Sequence, residues 1–178
     1  MNLPNIITIV RILLIPVFIN LLIYGYQGWA LTVFLAASLT DSLDGLIARW
    51  ADQRTRLGAF LDPLADKLLL TASFLALAIL KVIPIWIAVI VVSRDLILIL
   101  GALILHMTQA QQEISPTILG KSTTVVQLIY VTLILVMAVV HGSAIRLFPI
   151  LVVMIGLTIL SGLHYIYRGI RHLNSEHA

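Results

Sequence analysis

The chain alternates long apolar segments with short polar or turn-forming stretches. Each apolar segment is close to the roughly 20 residues that a helix needs to cross a bilayer. The pattern predicts six membrane-spanning helices, over residues 12–26, 29–48, 59–80, 84–106, 122–141 and 147–167. We therefore expect an all-α fold, a polytopic membrane protein with six transmembrane helices in one bundle.

The basic residues between the apolar segments indicate how the chain is oriented. An even number of spans places both termini on one side of the membrane. The N-terminal segment, the second and fourth connections and the C-terminal segment carry Arg11, Arg49, Arg54, Arg56, Lys121, Arg168 and Arg171. The other connections carry Lys81 and Arg146. Because Lys and Arg are enriched on the cytoplasmic side, we expect both termini in the cytoplasm and the chain in the cell (inner) membrane.

Composition supports a bilayer environment. The chain has 178 residues, of which 61% are hydrophobic and 11% charged, and its mean hydropathy is +1.10. We expect one membrane domain over residues 1–178. Because no cysteine is present, disulfides, thiolate metal sites and cysteine nucleophiles are excluded. The formal charge of +3 is scattered rather than clustered, so we do not expect a nucleic-acid partner.

Five of the eight acidic residues lie within or at the ends of the apolar segments: Asp41, Asp44, Asp62, Asp66 and Asp95. Charged groups inside membrane-spanning helices are costly and usually mark functional sites. The first two are three residues apart and the next two are four apart, so each pair shares one face of its helix. Because the connection between the two helices is short, we expect both pairs at the cytoplasmic end, converging on one point.

Four carboxylates at one point repel one another at low dielectric unless a cation neutralises them. Oxygen ligands select hard ions, so we expect Mg²⁺ or Mn²⁺, and two such ions form a clamp suited to phosphoryl chemistry. An isolated intramembrane Asp can instead be a hydrogen-bonded structural residue, and a proton or ion pathway is a further interpretation. A pathway would spread its acids through the membrane thickness, whereas these lie near one interface.

The residues around these aspartates resemble a known signature. Residues 41–49 read DSLDGLIAR, and eight residues later 58–66 read GAFLDPLAD. They match the CDP-alcohol phosphotransferase signature D-x2-D-G-x2-A-R-x8-G-x3-D-x3-D at every fixed position, and the chain is identified as a member of that family. The resemblance covers essentially the whole chain, because the family is built of six-helix membrane proteins. It implies a homodimer, the common assembly in that family, with the site open to the cytoplasm.

The resemblance implies transfer of a phosphatidyl group from CDP-diacylglycerol to an alcohol, with release of CMP. It implies that four carboxylates hold the metal ions: Asp41, Asp44, Asp62 and Asp66. It also implies that Asp66 acts as the general base on the acceptor hydroxyl, which makes it the catalytic residue. The ions would neutralise the pyrophosphate of the donor and stabilise the departing CMP.

Six residues are expected to bind the CDP-lipid: Thr8, Arg11, Gly45, Ala48, Arg49 and Gly58. The resemblance implies that the small residues pack against the cytidine nucleotide, and small side chains also let a ligand approach the backbone. An arginine suits a phosphate or a carboxylate. Residues 4–11, PNIITIVR, resemble the P-x3-T-x2-R segment of the family branch that makes phosphatidylglycerol phosphate and cardiolipin. An arginine that anchors the helix at the interface is the alternative for Arg11.

Arg94 and Lys121 are the candidates for binding the acceptor alcohol. Arg94 lies within an apolar segment, where an arginine needs an anionic partner, and Lys121 follows Gly120 at the start of the fifth segment. Together they suit the phosphate of glycerol 3-phosphate, the acceptor that we expect. The alternatives are an ion pair between Arg94 and Asp95 and a charge at Lys121 that only sets topology. The Arg-Asp sequence is also similar to cardiolipin synthases of this family, whose acceptor is phosphatidylglycerol.

Two functions from other classes remain as alternatives. A small membrane transporter also has several spans and intramembrane charge, but it would carry broken helices in symmetric halves. The second half of this chain has no counterpart of the aspartate cluster. A non-catalytic membrane scaffold would not require four carboxylates at fixed spacing.

Overall fold

A computed structural model describes residues 3–50, 56–107 and 118–175, and the side chains of 9–40, 67–101, 118–143 and 145–168. This part of the chain forms six α-helices and one 3-10 helix and contains no strand. The helices are α1 (Leu3–Ile23), α2 (Gln27–Trp50), α3 (Arg56–Ile79), α4 (Ile85–Met107), α5 (Ile118–Val139) and α6 (Phe148–Ser175), with the 3-10 turn at Ala144–Leu147. The all-α prediction is confirmed, and each predicted span corresponds to one helix.

The first and last helices extend beyond the predicted spans. α1 begins at Leu3 rather than at residue 12, and α6 continues to Ser175 rather than ending at 167. The predicted spans stop at charged residues, whereas the backbone hydrogen bonds of a helix continue through such residues. Pro4 lies in the first turn of α1, where its missing N–H removes no helical hydrogen bond.

Three of the connecting turns share one backbone arrangement. Gly25, Lys81 and His141 have φ angles of 77°, 58° and 50°, just after α1, α3 and α5. In each turn the following residue donates its N–H to the carbonyl five residues back, at 2.8 to 2.9 Å. This is the Schellman arrangement, which satisfies the last carbonyls of a helix. The helix ends predicted at these three breaks are confirmed.

The helices pack through a continuous apolar core. α1 contacts α2 and α3, while α4 and α5 contact α6. Contacts of α3 with α4 and α5, and of α2 with α5, join these groups. The ring centroids of Phe18 and Phe34 are 5.6 Å apart between α1 and α2, and those of Phe74 and Tyr130 are 6.4 Å apart between α3 and α5. These aromatic pairs bury large areas at the two helix contacts.

The surface of the bundle is apolar, while several buried positions are polar. Every helix exposes large apolar side chains, among them Leu13, Leu39, Ile79, Leu100, Val125 and Leu163. The buried set includes Arg94, Asp95, Gln127 and Thr158. Soluble proteins rarely expose apolar patches of this extent. Within the described part, Ile118–Val139 and Ile145–Arg168 are long and apolar enough to cross a membrane, each with a mean hydropathy of 2.1. These features indicate a membrane protein.

Gly101 of α4 lies directly against Tyr165 of α6, and Gly101→Ala should destabilise the protein. A Cβ at residue 101 would lie 2.5 Å from Cε1 of Tyr165, inside van der Waals contact. Overpacking of this kind costs about 1–3 kcal/mol, which outweighs the roughly 1 kcal/mol that Ala gains over Gly in a helix and leaves a net cost of about 1 kcal/mol. We expect a melting temperature in detergent lower by about 2–5 °C, measured by thermal unfolding.

Gly156→Ala in α6 is the matched control, because no atom lies within 4 Å of a Cβ at that position. It should leave the melting temperature unchanged or raise it. Equal melting temperatures for the two variants would contradict the packing of α4 against α6 at Gly101.

Candidate active site

The four aspartates of the signature lie on two helices that contact each other and are separated by five residues, 51 to 55. Asp44 precedes the end of α2 at residue 50 by six residues, and Asp62 follows the start of α3 at residue 56 by six. At 1.5 Å per residue, both lie about 9 Å from the connected ends. Asp41 and Asp66 lie nine and ten residues from the same ends, or about 14–15 Å. The two aspartate pairs therefore lie at similar distances from the connected ends of their helices.

The predicted nucleotide-binding residues lie on the same helices and on α1. Gly45, Ala48 and Arg49 belong to the end of α2, Gly58 to the first turn of α3, and Thr8 to α1. α1 contacts both α2 and α3. The side chains of these residues and of the four aspartates lie outside the described side chains. Their roles therefore stay predictions.

No group of three or more His, Cys, Asp or Glu side chains that could hold a metal ion occurs among the side chains described. This finding concerns the parts of the helices that flank the signature and does not include its four aspartates. The metal site on α2 and α3 therefore stays a prediction.

A buried ionic network begins one residue after Asp66. Nζ of Lys67 and Nη1 of Arg94 are each 2.8 Å from Oδ1 of Asp95. The hydroxyl of Thr71 donates to Oδ2 of the same carboxylate at 3.4 Å. The Asp95 side chain is 8% exposed, and two cations stabilise its buried carboxylate. The network connects α3, which carries two of the signature aspartates, to α4.

Arg94 extends this network to α5 and α6. Its Nη2 donates to Oγ of Ser161 at 3.0 Å and to the carbonyl oxygen of Gly120 at 3.5 Å. Its Nε has no hydrogen-bond partner among the described residues. Of the two interpretations of Arg94, the structure shows the ion pair with Asp95, and the arginine is 5% exposed. A contact between Arg94 and an acceptor remains a proposal.

Lys121 and Arg11 occupy contrasting environments. Lys121 is exposed on the first turn of α5, next to the glycine whose carbonyl accepts the hydrogen bond from Arg94. The two candidate acceptor-binding residues thus lie near the same end of α5. Arg11 of α1 is only 1% exposed. An arginine that anchors a helix at the headgroup interface would be more exposed than Arg11.

The sequence interpretation missed Lys67 and Ser161. Lys67 is a basic residue inside an apolar segment, and such a residue needs an anionic partner for the same reason as Arg94. That signal was available, although it does not identify Asp95 as the partner. Ser161 gives no comparable signal, because a serine in an apolar helix commonly bonds to its own backbone.

Similarity to known proteins agrees with the aspartate pattern. Residues 1–163 match the sequence profile of the family described as CDP-alcohol phosphatidyltransferase. A probable phosphatidylglycerophosphate synthase of Mycobacterium tuberculosis is 32% identical over 97% of this chain and 83% of its own length. A CDP-diacylglycerol–glycerol-3-phosphate 3-phosphatidyltransferase of Bacillus subtilis is 34% identical over 75% of this chain and 76% of its own. The CMP-forming cardiolipin synthase of Homo sapiens is 38% identical over 73% and 48%, respectively.

The profile covers the aspartate signature of α2 and α3 together with the network around Asp95 and most of α6. A match of this extent decides between the enzyme and the transporter or scaffold alternatives. The chain therefore belongs to the CDP-alcohol phosphatidyltransferase family of enzymes.

Proposed function

We propose that this enzyme transfers the phosphatidyl group of CDP-diacylglycerol to glycerol 3-phosphate, giving phosphatidylglycerol phosphate and CMP. The observation that carries the proposal is the placement of Asp41 and Asp44 on α2 and of Asp62 and Asp66 on α3. The two pairs lie at similar distances from the connected helix ends and have the spacing of the family signature. The names of the relatives from M. tuberculosis and B. subtilis support glycerol 3-phosphate as the acceptor.

The donor set fits a site for hard divalent ions. Asp41, Asp44, Asp62 and Asp66 offer only carboxylate oxygens, which favour Mg²⁺ or Mn²⁺, and four carboxylates balance the charge of two such ions. When bound, the ions would neutralise the donor pyrophosphate and stabilise the charge that develops on departing CMP. The four aspartates would hold the ions and so would fix where the pyrophosphate lies relative to α2 and α3.

Asp66 is the proposed general base. Its carboxylate accepts the proton of the acceptor hydroxyl, whose oxygen then attacks the phosphorus that carries the diacylglycerol. A new P–O bond forms, the bond between the two phosphates of the donor breaks, and the bridging electrons leave with CMP. Asp66 suits this role because it directly precedes Lys67, the α3 member of the ionic network. It lies about 15 Å from the start of α3.

The CDP-lipid is proposed to lie against α1, α2 and the start of α3. Gly45, Ala48 and Gly58 leave room for the nucleotide beside the backbone, and Arg49 holds a phosphate. Thr8 and Arg11 add contacts from α1, which packs against both α2 and α3. The burial of Arg11 supports a role inside the protein rather than at the headgroups.

Arg94 and Lys121 are proposed to supply positive charge for the acceptor phosphate. Lys121 is exposed and would contact the phosphate directly. Arg94 is buried among Asp95, Ser161 and Gly120 and contributes through its charge. A charge at this depth acts over a longer distance than in water because the surrounding dielectric is low.

Phosphatidylglycerol is the second candidate acceptor, with cardiolipin as the product. The relative from Homo sapiens named cardiolipin synthase and the Arg94-Asp95 sequence support it. The reaction is otherwise the same, since a hydroxyl attacks the same donor phosphorus.

We also propose that all six helices of a single domain, residues 1–178, cross the cell (inner) membrane. The apolar surface of every helix supports a bilayer around the bundle. In this arrangement both termini and the site lie on the cytoplasmic side, where water-soluble glycerol 3-phosphate is available. A homodimer in the bilayer is part of the proposal.

The reaction is tested with an acceptor panel. The purified protein in detergent should release CMP from CDP-diacylglycerol when glycerol 3-phosphate and Mg²⁺ or Mn²⁺ are present, and chelation should stop the release. Serine and inositol phosphate should not replace the acceptor. Faster release with phosphatidylglycerol would favour cardiolipin synthesis, and no metal-dependent release with any acceptor would contradict the enzyme proposal.

Asp66→Asn should lower kcat by about 10²- to 10⁴-fold because the amide cannot accept the proton. Binding of CDP-diacylglycerol should be partly retained, since three carboxylates remain. The measurements are CMP release and equilibrium binding of the donor. Loss of donor binding as large as the loss of turnover would contradict the assignment of Asp66 as the base.

Lys121→Gln should raise the KM for glycerol 3-phosphate by about tenfold or more and leave the donor KM nearly unchanged, because one charged hydrogen bond to the acceptor is lost. Lys81→Gln is the matched control, since Lys81 is an exposed lysine in the turn after α3. It should change neither KM. An unchanged acceptor KM in Lys121→Gln would argue against a phosphate contact at this residue.

A further inference from the structure

The ionic network after the signature contains more positive than negative charge. Lys67 and Arg94 share the single carboxylate of Asp95, and both cationic nitrogens lie 2.8 Å from the same oxygen. No other ion pair to these three residues occurs among the described side chains. Within the described side chains these three groups carry a net charge of about +1, and charge in an apolar bundle is costly where it is not compensated. An anion bound beside it would lower that cost.

Lys67 is the member of the network that such an anion can reach. The Arg94 side chain is 5% exposed and its two amino groups already donate to Asp95, Ser161 and Gly120. The Lys67 side chain is 32% exposed. Its ammonium group has three donors, of which one is given to Asp95 within the described part of the chain.

We expect the exposed part of Lys67 to face water rather than lipid. Lys67 lies eleven residues after the start of α3 at residue 56, about 16 Å along the helix. Charged groups at such depth face the bundle interior or a water-filled cavity. Its bond to Asp95 directs the ammonium group toward α4, on the side of α3 that contacts α4. A cavity on that side would admit a small polar substrate.

The position along the chain favours the acceptor over the donor. Lys67 directly follows Asp66, so their Cα atoms are about 3.8 Å apart. In the proposed reaction Asp66 receives the proton of the acceptor hydroxyl, and the donor pyrophosphate lies with the ions between α2 and α3. The network instead joins α3 to α4, α5 and α6. An acceptor whose hydroxyl is at Asp66 can therefore place its phosphate toward Lys67.

We propose that Lys67 binds the phosphate group of the acceptor, and that Asp95 is a positioning residue that fixes the ammonium group for this contact. This inference rests on the proposed function and adds a specificity-determining residue to it. The shared chemistry is a phosphate: a dianionic monoester in glycerol 3-phosphate or a diester in phosphatidylglycerol.

Lys67→Gln tests the contact by steady-state kinetics. The acceptor KM should rise about ten- to a hundredfold while the donor KM changes less than about twofold. Lys67→Arg keeps the charge and should recover most of the acceptor affinity. Lys81→Gln is the matched control and should behave as the unmodified protein. A larger rise in the donor KM than in the acceptor KM would overturn the assignment and place Lys67 at the donor.

Asp95→Asn tests the positioning role. It removes the charge that holds Lys67 but leaves an oxygen that accepts a hydrogen bond. We expect a higher acceptor KM with an unchanged donor KM, and no further rise when Lys67→Gln is combined with it, because both changes disrupt one contact. Fully additive effects, or equal changes in both KM values, would contradict the positioning role of Asp95.

A labelling experiment on the unmodified protein does not depend on how the variants fold. Reductive methylation of lysines, followed by mass spectrometry, should modify Lys67 more slowly in the presence of glycerol 3-phosphate and CMP. Modification of Lys81 should not change. Protection by phosphatidylglycerol micelles but not by glycerol 3-phosphate would identify the diester as the source of the phosphate. If neither compound slows the methylation of Lys67, the proposal is overturned. If Lys67 is protected but no acceptor in the panel supports CMP release, only the proposed reaction is overturned.

Discussion

The cost of placing charge in an apolar surrounding is the constraint on which this structure depends. The bundle exposes apolar side chains on every helix, so a charged group inside it needs a compensating charge nearby. Two different solutions follow along α3. The signature places four aspartates on α2 and α3, and we propose that cations from outside the protein balance their charge. At the next residue of α3, Lys67 joins Arg94 in sharing the single carboxylate of Asp95, which compensates one of these two positive charges. Opposite charges are thereby kept on adjacent parts of one helix.

Much of the fold could be predicted because the length of an apolar segment and the turn residues beside it determine where a helix forms and ends. Six helices and the breaks near Gly25, Lys81 and His141 follow from the sequence pattern. The extension of α1 before Arg11 and of α6 past Arg168 could not be predicted in the same way. A helix is held by backbone hydrogen bonds, which do not stop where apolar side chains do. The crossing of the membrane by all six helices stays a prediction.

The sequence predicts the parts of the site that depend only on the spacing of residues along a helix. Asp41 and Asp44, and likewise Asp62 and Asp66, are fixed relative to each other by the helix repeat. The network around Asp95 depends on how different helices pack, so the sequence left two interpretations of Arg94. Lys67 and Ser161 become partners of this network only when α3 and α6 lie against α4. Such contacts depend on packing that no local pattern of residues specifies.

The two aspartate pairs lie at similar distances from the connected ends of α2 and α3, and this limits how this part of the chain can vary in length. One residue inserted between Asp44 and the end of α2 would turn the pair by about 100° and move it by about 1.5 Å relative to α3. A compensating insertion before Asp62 would restore the depth but would turn the second pair as well. The helical stretches on both sides of the connection therefore tolerate substitution far better than insertion or deletion. The signature also fixes the eight residues between Arg49 and Gly58, so we expect any variation in length to lie outside residues 41–66.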